Sequence, residues 1–288
     1  MKKTRDKIGY IFVSPYIIFF GLFIAYPLVF SFYLIFHRWD LVSAPKPVGM
    51  DNIIFLLNDG VFWKALFNTI IFLLIHIPSQ IVIALGIAII LSQKIRARAF
   101  FRASFFLPVI ISGAVVTILW TRLYSTDIGL INNILAKIGL PAVPWLTNQY
   151  MAMPSIAIMA TWKNVGFYII LFLIGLQNIP KHLYEAASIE GASKPQAFFH
   201  ITLPLLKPTM LLVVVISTIN GFNLFIEPYV MTGGGPINSS LSVVLYIYKQ
   251  AFSYQHMGYA ATVGFALTII IFIVSIIQRK FLQSETYY

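Results

Sequence analysis

Two stretches of this chain set amides, hydroxyls and charges inside otherwise apolar sequence. The first reads Thr161-Trp162-Lys163-Asn164, with Tyr168 following; Asn164 and Tyr168, four apart, share one face of a helix. The second carries Ser217, Asn220, Gly221, Asn223 and Glu227, which recur at three-to-four spacing and so form one polar stripe on a helix. Amides and hydroxyls exchange hydrogen bonds with a solute's hydroxyls, and aromatic rings cover its apolar faces. That is the chemistry of binding and passage rather than of bond-making. Ser, Asn and Gly also serve as contacts between helices, and the sequence leaves both readings open. His76 and Gln80, a four-spaced polar pair flanking Pro78, read as local packing.

Other chemistries find no residues here. The chain has no cysteine, which excludes disulfides, thiolate metal sites and cysteine nucleophiles. The five histidines, His37, His76, His182, His200 and His256, are scattered without an H-x-x-x-H pair, so no metal site is expected. No phosphate-binding G-x-x-x-x-G-K-[ST] loop occurs, nor any Gly-Lys dipeptide, so the chain is not expected to hydrolyse ATP or to act as an enzyme. The net charge of +11 would suggest nucleic acid in a soluble protein. Here no basic cluster interleaves with exposed aromatics, and nucleic acid is not expected.

The elements that must position these residues are membrane helices. Of 288 residues, 59% are hydrophobic and 10% charged, where a soluble domain carries about 25% charge. Six segments are apolar enough to span a bilayer, at about 1.5 Å rise per residue. They lie near residues 10–36, 65–92, 103–123, 152–176, 208–231 and 259–278. The first is too long for a secretory signal core. Prolines inside the spans (Pro15, Pro27, Pro78, Pro108, Pro154) are tolerable where neighbouring helices satisfy the freed backbone groups. The expected architecture is all-α: one transmembrane domain over 1–288, with span one preceding a core at about 65–281.

Lysine and arginine set the orientation. One set of span ends holds Lys2, Lys3, Arg5, Lys7, Lys94, Arg96, Arg98, Arg102, Lys181, Lys194, Lys207, Arg279 and Lys280; the other holds Arg38, Lys46, Lys64, Arg122, Lys137 and Lys249. Thirteen against six predicts that both termini are cytoplasmic. Trp39, Trp63, Trp120 and Trp145 then fall near the outer face. Two long outer loops, 37–64 and 124–151, either dock a partner or pack across the helix ends. Depth along the helices separates the two intramembrane charges. Lys163 is expected about 16 Å inside and Glu227 about 6 Å below the outer surface, too far apart to pair.

The cytoplasmic loop 177–207 differs from its surroundings. After Pro180, residues Leu183 to Ile189 favour a helix that Gly191 can stop with φ > 0. A second short helix starts at Pro195, which suits a first turn, and Pro204 and Pro208 break the chain before span five. The result is a helix-Gly-helix elbow, a docking lug for a cytoplasmic partner.

The pattern Glu-Ala-Ala, three residues, Gly, nine residues, Ile-x-Leu-Pro stands here as Glu185-Ala186-Ala187, Gly191 and Ile201-x-Leu203-Pro204. It resembles the signature loop of ABC importer permeases. Thr232-Gly-Gly234-Gly235-Pro236 resembles the loop of the carbohydrate-uptake subfamily, specifically the first permease of the maltose and glycerol-phosphate type. Asn68-Thr69, Gly129…Asn132 and Gly258-Tyr-Ala-Ala also fit. The resemblance covers nearly the whole chain, although the larger maltose permease carries more than this six-helix core.

The resemblance implies a mechanism. Two homologous permease subunits form a pore in the bacterial cytoplasmic membrane. A dimer of ATPase subunits, which bind ATP and Mg, receives the elbows, and an extracytoplasmic solute-binding protein delivers a sugar or oligosaccharide. It implies that Glu185 pairs with a basic ATPase residue within an elbow of Glu185, Ala186, Ala187, Gly191, Leu203 and Pro204. It also implies that Thr161, Trp162, Asn164, Tyr168, Ser217, Asn220, Gly221, Asn223 and Glu227 line the pathway, and that Thr232, Gly234, Gly235 and Pro236 meet the binding protein. The chain itself is expected to hold no cofactor and no metal.

Permeases for glycerol phosphate, polyamines, phosphate or phosphonates share the Glu-Ala-Ala loop and remain an alternative. An ion-coupled secondary transporter would want more intramembrane carboxylates than Glu227, and an inverted repeat that the sequence does not display.

Overall fold

A computed structural model describes residues 12–93 and 96–282. Lys2, Lys3, Arg5, Lys7, Lys94 and the first residues of span one lie outside them. In chain order the helices are α1 (Phe12–Ile35), α2 (Asp51–Asn58), α3 (Gly60–Ser92), α4 (Arg98–Ile110), α5 (Gly113–Leu123), α6 (Leu130–Lys137), α7 (Ala152–Gln177), α8 (Lys181–Ile189), α9 (Lys194–Leu205), α10 (Lys207–Phe222), α11 (Ile226–Thr232), α12 (Val243–Tyr248) and α13 (Met257–Leu282). One two-residue hairpin, β1 (His37–Arg38) with β2 (Lys46–Pro47), follows α1.

Four helices, α1, α3, α7 and α13, are long and apolar enough to cross a membrane. Two further candidates are bent pairs. Helices α4 and α5 meet at 95° and α9 and α10 at 63°, so the count reaches six if each pair makes one crossing. Side chains along α1 are mostly exposed and apolar, as a helix solvated by lipid requires.

Spans three and five are therefore not the straight helices expected over 103–123 and 208–231, and each break has a local cause. In the third, Pro108 sits in α4, and Ser112-Gly113 opens a new helix after the extended Ile111. In the fifth, α10 ends at Phe222 and α11 restarts at Ile226 with Pro228 in its first turn. A proline there lacks the N–H that would bond back to Leu224, and its ring collides with that carbonyl. The Leu224 carbonyl instead accepts the Ser242 hydroxyl at 2.6 Å. The bend before α10 falls at Leu206, between Pro204 and Pro208, where the prolines predict it.

The chain forms two compact units. One comprises, of the described residues, 12–62 and 246–268. Within it Asp59 is buried and accepts hydrogen bonds from the hydroxyls of Tyr246 and Tyr259 and, at 2.9 Å, from the Val61 N–H. Gln250 Nε2 donates to the Tyr246 hydroxyl at 2.7 Å. The start of α13 lies directly on β1, with a β-carbon at Gly258 falling 1.8 Å from the His37 carbonyl oxygen.

The other unit comprises, of the described residues, 63–93, 96–245 and 269–282. Its core joins Ala84, Leu85 and Ala88 of α3 to Tyr168, Ile169 and Phe172 of α7 and to Leu206 and Val213. Helix α4 lies against α7, and Gly166 makes that approach possible. A β-carbon at Gly166 would stand 2.0 Å from the Phe105 carbonyl oxygen.

Candidate functional site: a polar cavity and a helical elbow

The α10–α11 break faces a cavity whose wall also includes Val109, near the end of α4. It has a volume of about 510 Å³, and the residues around it include Lys163, Asn164 and Tyr168 of α7, Asn220 of α10, the junction residues Asn223 and Phe225, and Glu227 of α11. The α10–α11 break puts Asn223 and Glu227 there by different routes. Asn223 caps the end of α10, its Nδ2 bonded to the Ile219 carbonyl at 2.9 Å, while Glu227 returns on a new helix. Helix α11 packs on α5 and α7. A β-carbon at Gly113, the first residue of α5, would meet Lys163 Nζ at 3.1 Å and Ile226 Cδ1 at 3.6 Å. Three helix segments thus converge on the Lys163 ammonium.

Among the described residues, the side-chain amides of Asn164 and Asn220, the Tyr168 hydroxyl, the Lys163 ammonium and the Glu227 carboxylate have no hydrogen-bond or ion-pair partner in the chain. Donors and acceptors left open beside Phe72, Phe167, Tyr168 and Phe225 make a wall that can bond hydroxyls and stack on apolar faces. The geometry corrects the depth argument in one respect: Lys163 and Glu227 line the same cavity rather than separate places. They still make no ion pair there.

Three of the sequence-selected residues lie elsewhere. The Thr161 hydroxyl donates to the Ala157 carbonyl at 2.7 Å, so His76 Nδ1, 2.8 Å away, supplies the proton for the bond between them. Ser217 accepts Gln80 Nε2 at 3.1 Å, and both are buried. These bonds tie Gln80 into the packing as expected, whereas His76, also bonded, borders the polar cavity. Trp162 lines a separate, mainly apolar recess with Ile75 and Phe105 and lies against Trp120, ring centres 5.4 Å apart. Gly221 borders the polar cavity while packing on Leu73. The single stripe along one straight helix is thus divided. Ser217 and Gly221 hold helices together, and Asn220, Asn223 and Glu227 face open space.

The elbow follows the sequence closely. Helix α8 ends at Glu190, and Gly191 turns left-handed with φ +79°. Its N–H bonds the Ser188 carbonyl at 3.1 Å, and the Ala192 N–H bonds that of Ala187 at 2.9 Å, closing the helix by the usual paired return. Gln196 Oε1 accepts both the N–H (2.7 Å) and the hydroxyl (2.8 Å) of Ser193, fixing the start of α9. Glu185 and Ala186 are exposed, Ala187 and Leu203 are half-buried, and Pro204 is exposed. One clasp escaped sequence reasoning: the Tyr184 and Thr202 hydroxyls meet at 2.8 Å and join the two arms. A tyrosine one residue before the Glu-Ala-Ala pattern is the only linear signal for it.

The glycine loop after α11 is braced from within. Thr232 Oγ1 and Ser240 Oγ lie 2.7 Å apart, and Ser240 also donates to the Gly235 carbonyl at 2.7 Å. Asn68 Nδ2 donates to the carbonyls of Asn238 (2.6 Å) and Leu241 (3.1 Å), and Thr69 Oγ1 accepts the Val243 N–H at 3.2 Å. Asn68-Thr69 thus anchors this loop. Gly234 is buried, and the loop's exposed tip is Ile237 and Asn238 rather than Thr232. In the 124–151 loop, Asn132 is buried and bonds the Thr126 and Val143 carbonyls and Trp145 Nε1, bracing the loop from within.

Kinked apolar helices, a polar cavity at their breaks and an exposed elbow define a multi-pass membrane component of a solute transporter. The chain belongs to the family of binding-protein-dependent transport system inner membrane components, whose model matches residues 53–285. It is 37% identical to the arabinooligosaccharides transport system permease protein of Bacillus subtilis, over 96% of this chain and 89% of that one. It is likewise 37% identical to the lactose transport system permease protein of Rhizobium radiobacter, over 96% and 95%. A chain in the crystal structure of a bacterial alginate ABC transporter in complex with alginate pentasaccharide-bound periplasmic protein is similar in fold, with a TM-score of 0.80, 25% identity and coverage of 96% of this chain and 94% of that one.

Proposed function

We propose that this chain forms half of the translocation pathway of a binding-protein-dependent ABC importer for a sugar or oligosaccharide in the bacterial cytoplasmic membrane. The observation that carries the reading is the cavity where two broken helices meet α7. Its free amides, hydroxyl and aromatic rings suit a polyhydroxylated solute, and relatives named for arabinooligosaccharide and lactose transport point to the same substrate class.

On this reading the two bent pairs each make one crossing, giving six passes with both termini cytoplasmic. A second, homologous permease supplies the facing half of the pore. The elbow of Glu185, Ala186, Ala187, Gly191, Leu203 and Pro204 seats on one of two partner ATPases, which bind the ATP and Mg. The exposed face of α8 supports that assignment, because Glu185 has no partner within the chain among the described residues. The solute-binding protein docks outside, where Ile237-Asn238 is the exposed tip of the loop that Thr232, Gly234, Gly235 and Pro236 shape.

The test is uptake by cells expressing the complete transporter, with labelled disaccharides and arabino-oligosaccharides set against glycerol phosphate and a polyamine. Sugar uptake abolished by Asn164→Leu and Asn223→Leu in normally inserted protein supports the reading. Uptake of only the phosphate or the polyamine overturns the substrate class. Glu185→Lys in the same cells should abolish uptake of whatever is carried without preventing insertion, and normal transport by that variant would remove the elbow from coupling.

A further inference from the structure

Behind the elbow lies a second recess, of about 440 Å³, which the sugar pathway does not use. Its floor is apolar, from Ile89 at the end of α3, Leu176 at the end of α7 and Phe198 of α9. Its rim carries two cations, Lys181 at the start of α8 and Lys194 at the start of α9. Neither ammonium has an ion-pair partner among the described residues, and no carboxylate lines the recess. Ser92 and Gln177 add hydrogen-bonding groups at the same rim. Glu185, Ala186 and Gly191 do not line it.

We infer that the recess binds one anionic phospholipid, its headgroup phosphate on Lys181 and Lys194 and an acyl chain along Ile89, Leu176 and Phe198. The inference rests on the reading that the elbow lies at the cytoplasmic membrane surface. Three features favour a lipid over a soluble anion. The floor is apolar, it is built from the ends of two helices apolar enough to span a membrane, and cytoplasmic basic pockets between such helices suit anionic headgroups. The lipid would brace the two elbow arms at the Tyr184–Thr202 clasp, whose residues line the recess.

The experiment uses the complete transporter, purified with its partner permease and ATPases from nanodiscs of phosphatidylcholine containing one-third phosphatidylglycerol, and counts retained lipid by native mass spectrometry. Wild type should keep phosphatidylglycerol in preference to phosphatidylcholine. Each lysine lost should weaken retention about fivefold, and Lys181→Gln with Lys194→Gln together about thirtyfold. Lys207→Gln, an exposed cation of the same loop outside the recess, should change nothing. Ala197→Trp, which fills the recess without touching either charge, should also displace the lipid and covers the case in which the double variant fails to assemble.

Inorganic phosphate at millimolar concentration should not compete. If it displaces the lipid fully, the recess is a soluble-anion site and the lipid assignment fails. Equal retention of the two lipids, or an effect of Lys207→Gln as large as that of Lys181→Gln, overturns the proposal in favour of diffuse loop charge. Lipid counting needs no transported solute, so a failure here leaves the sugar reading untouched, and failure of the sugar reading leaves this result standing.

Discussion

Gly166→Ala perturbs the contact that fixes one wall of the cavity. The added β-carbon would lie 2.0 Å from the Phe105 carbonyl oxygen and 3.0 Å from Phe106 Cα. Ordinary contact begins near 3.4 Å, so α4 must retreat by about 1.4 Å. The atoms met are backbone, and no change of rotamer relieves them. Overpacking of this kind costs about 1–3 kcal/mol, against which alanine's better helix propensity returns at most about 1 kcal/mol. From the middle of that range, about 2 kcal/mol, the net loss is about 1–2 kcal/mol, a fall in melting midpoint of about 2–8 °C. Because α4 leads into the break before Gly113, where Lys163 lies, uptake should fall as well. Gly86→Ala is the matched control: it makes the same change in α3 with no atom within 4 Å of the new carbon. It should leave the midpoint unchanged or raise it slightly. Both variants are read by gel filtration of the heated, detergent-purified complex and by transport. Indistinguishable behaviour of the two would refute the close α4–α7 approach.

Three other outcomes follow from the geometry. Asn68→Leu removes its two bonds to the glycine loop; at about 1 kcal/mol each it should destabilise by about 2 kcal/mol and expose residues 232–242 to proteolysis, and an unchanged cleavage rate would argue that Asn68 does not anchor the loop. For Asp59, burial pushes the pKa up but hydrogen bonds from Tyr246, Tyr259 and the Val61 and Phe62 N–H groups outweigh it, so the folded value lies below the ordinary 3.8. Its contribution is then complete above that value and lost as pH falls through the lower folded one; the melting midpoint of wild type should drop more steeply below pH 4 than that of Asp59→Asn, and parallel curves would contradict the assignment. Lys163→Gln and Glu227→Gln should each reduce uptake, and because the two charges share the cavity without pairing, exchanging them should not restore it; a functional swap would establish a pair.

The elbow was legible almost residue by residue because its determinants are local. Pro180, Gly191, Pro195, Pro204 and Pro208 act on their own backbone, and the structure places a helix start, a left-handed turn and a bend where they stand. Membrane helices could be recognised from composition for a similar reason, since a run of apolar residues answers to lipid whatever its neighbours do. The breaks in spans three and five were also written locally, in Ser112-Gly113 and Pro228. A hydropathy window hides them, because the residues around each break stay apolar.

The content of the cavity was a different matter. Asn164, Asn220, Ser217 and Thr161 are all polar residues in apolar helices, and nothing in their own neighbourhoods separates those that bond across helices from those left open. That division depends on partners far away in the chain: His76 for Thr161 and Gln80 for Ser217. The same holds for Asn68, bonded to carbonyls some 170 residues on, and for Asp59, held by Tyr246 and Tyr259. Local sequence was enough to mark the long apolar segments as helices and to place the turns of the elbow. Only the packed chain decided which polar groups are satisfied by the protein, because a hydrogen bond needs two groups at one place, and for residues this distant the tertiary fold alone brings them there.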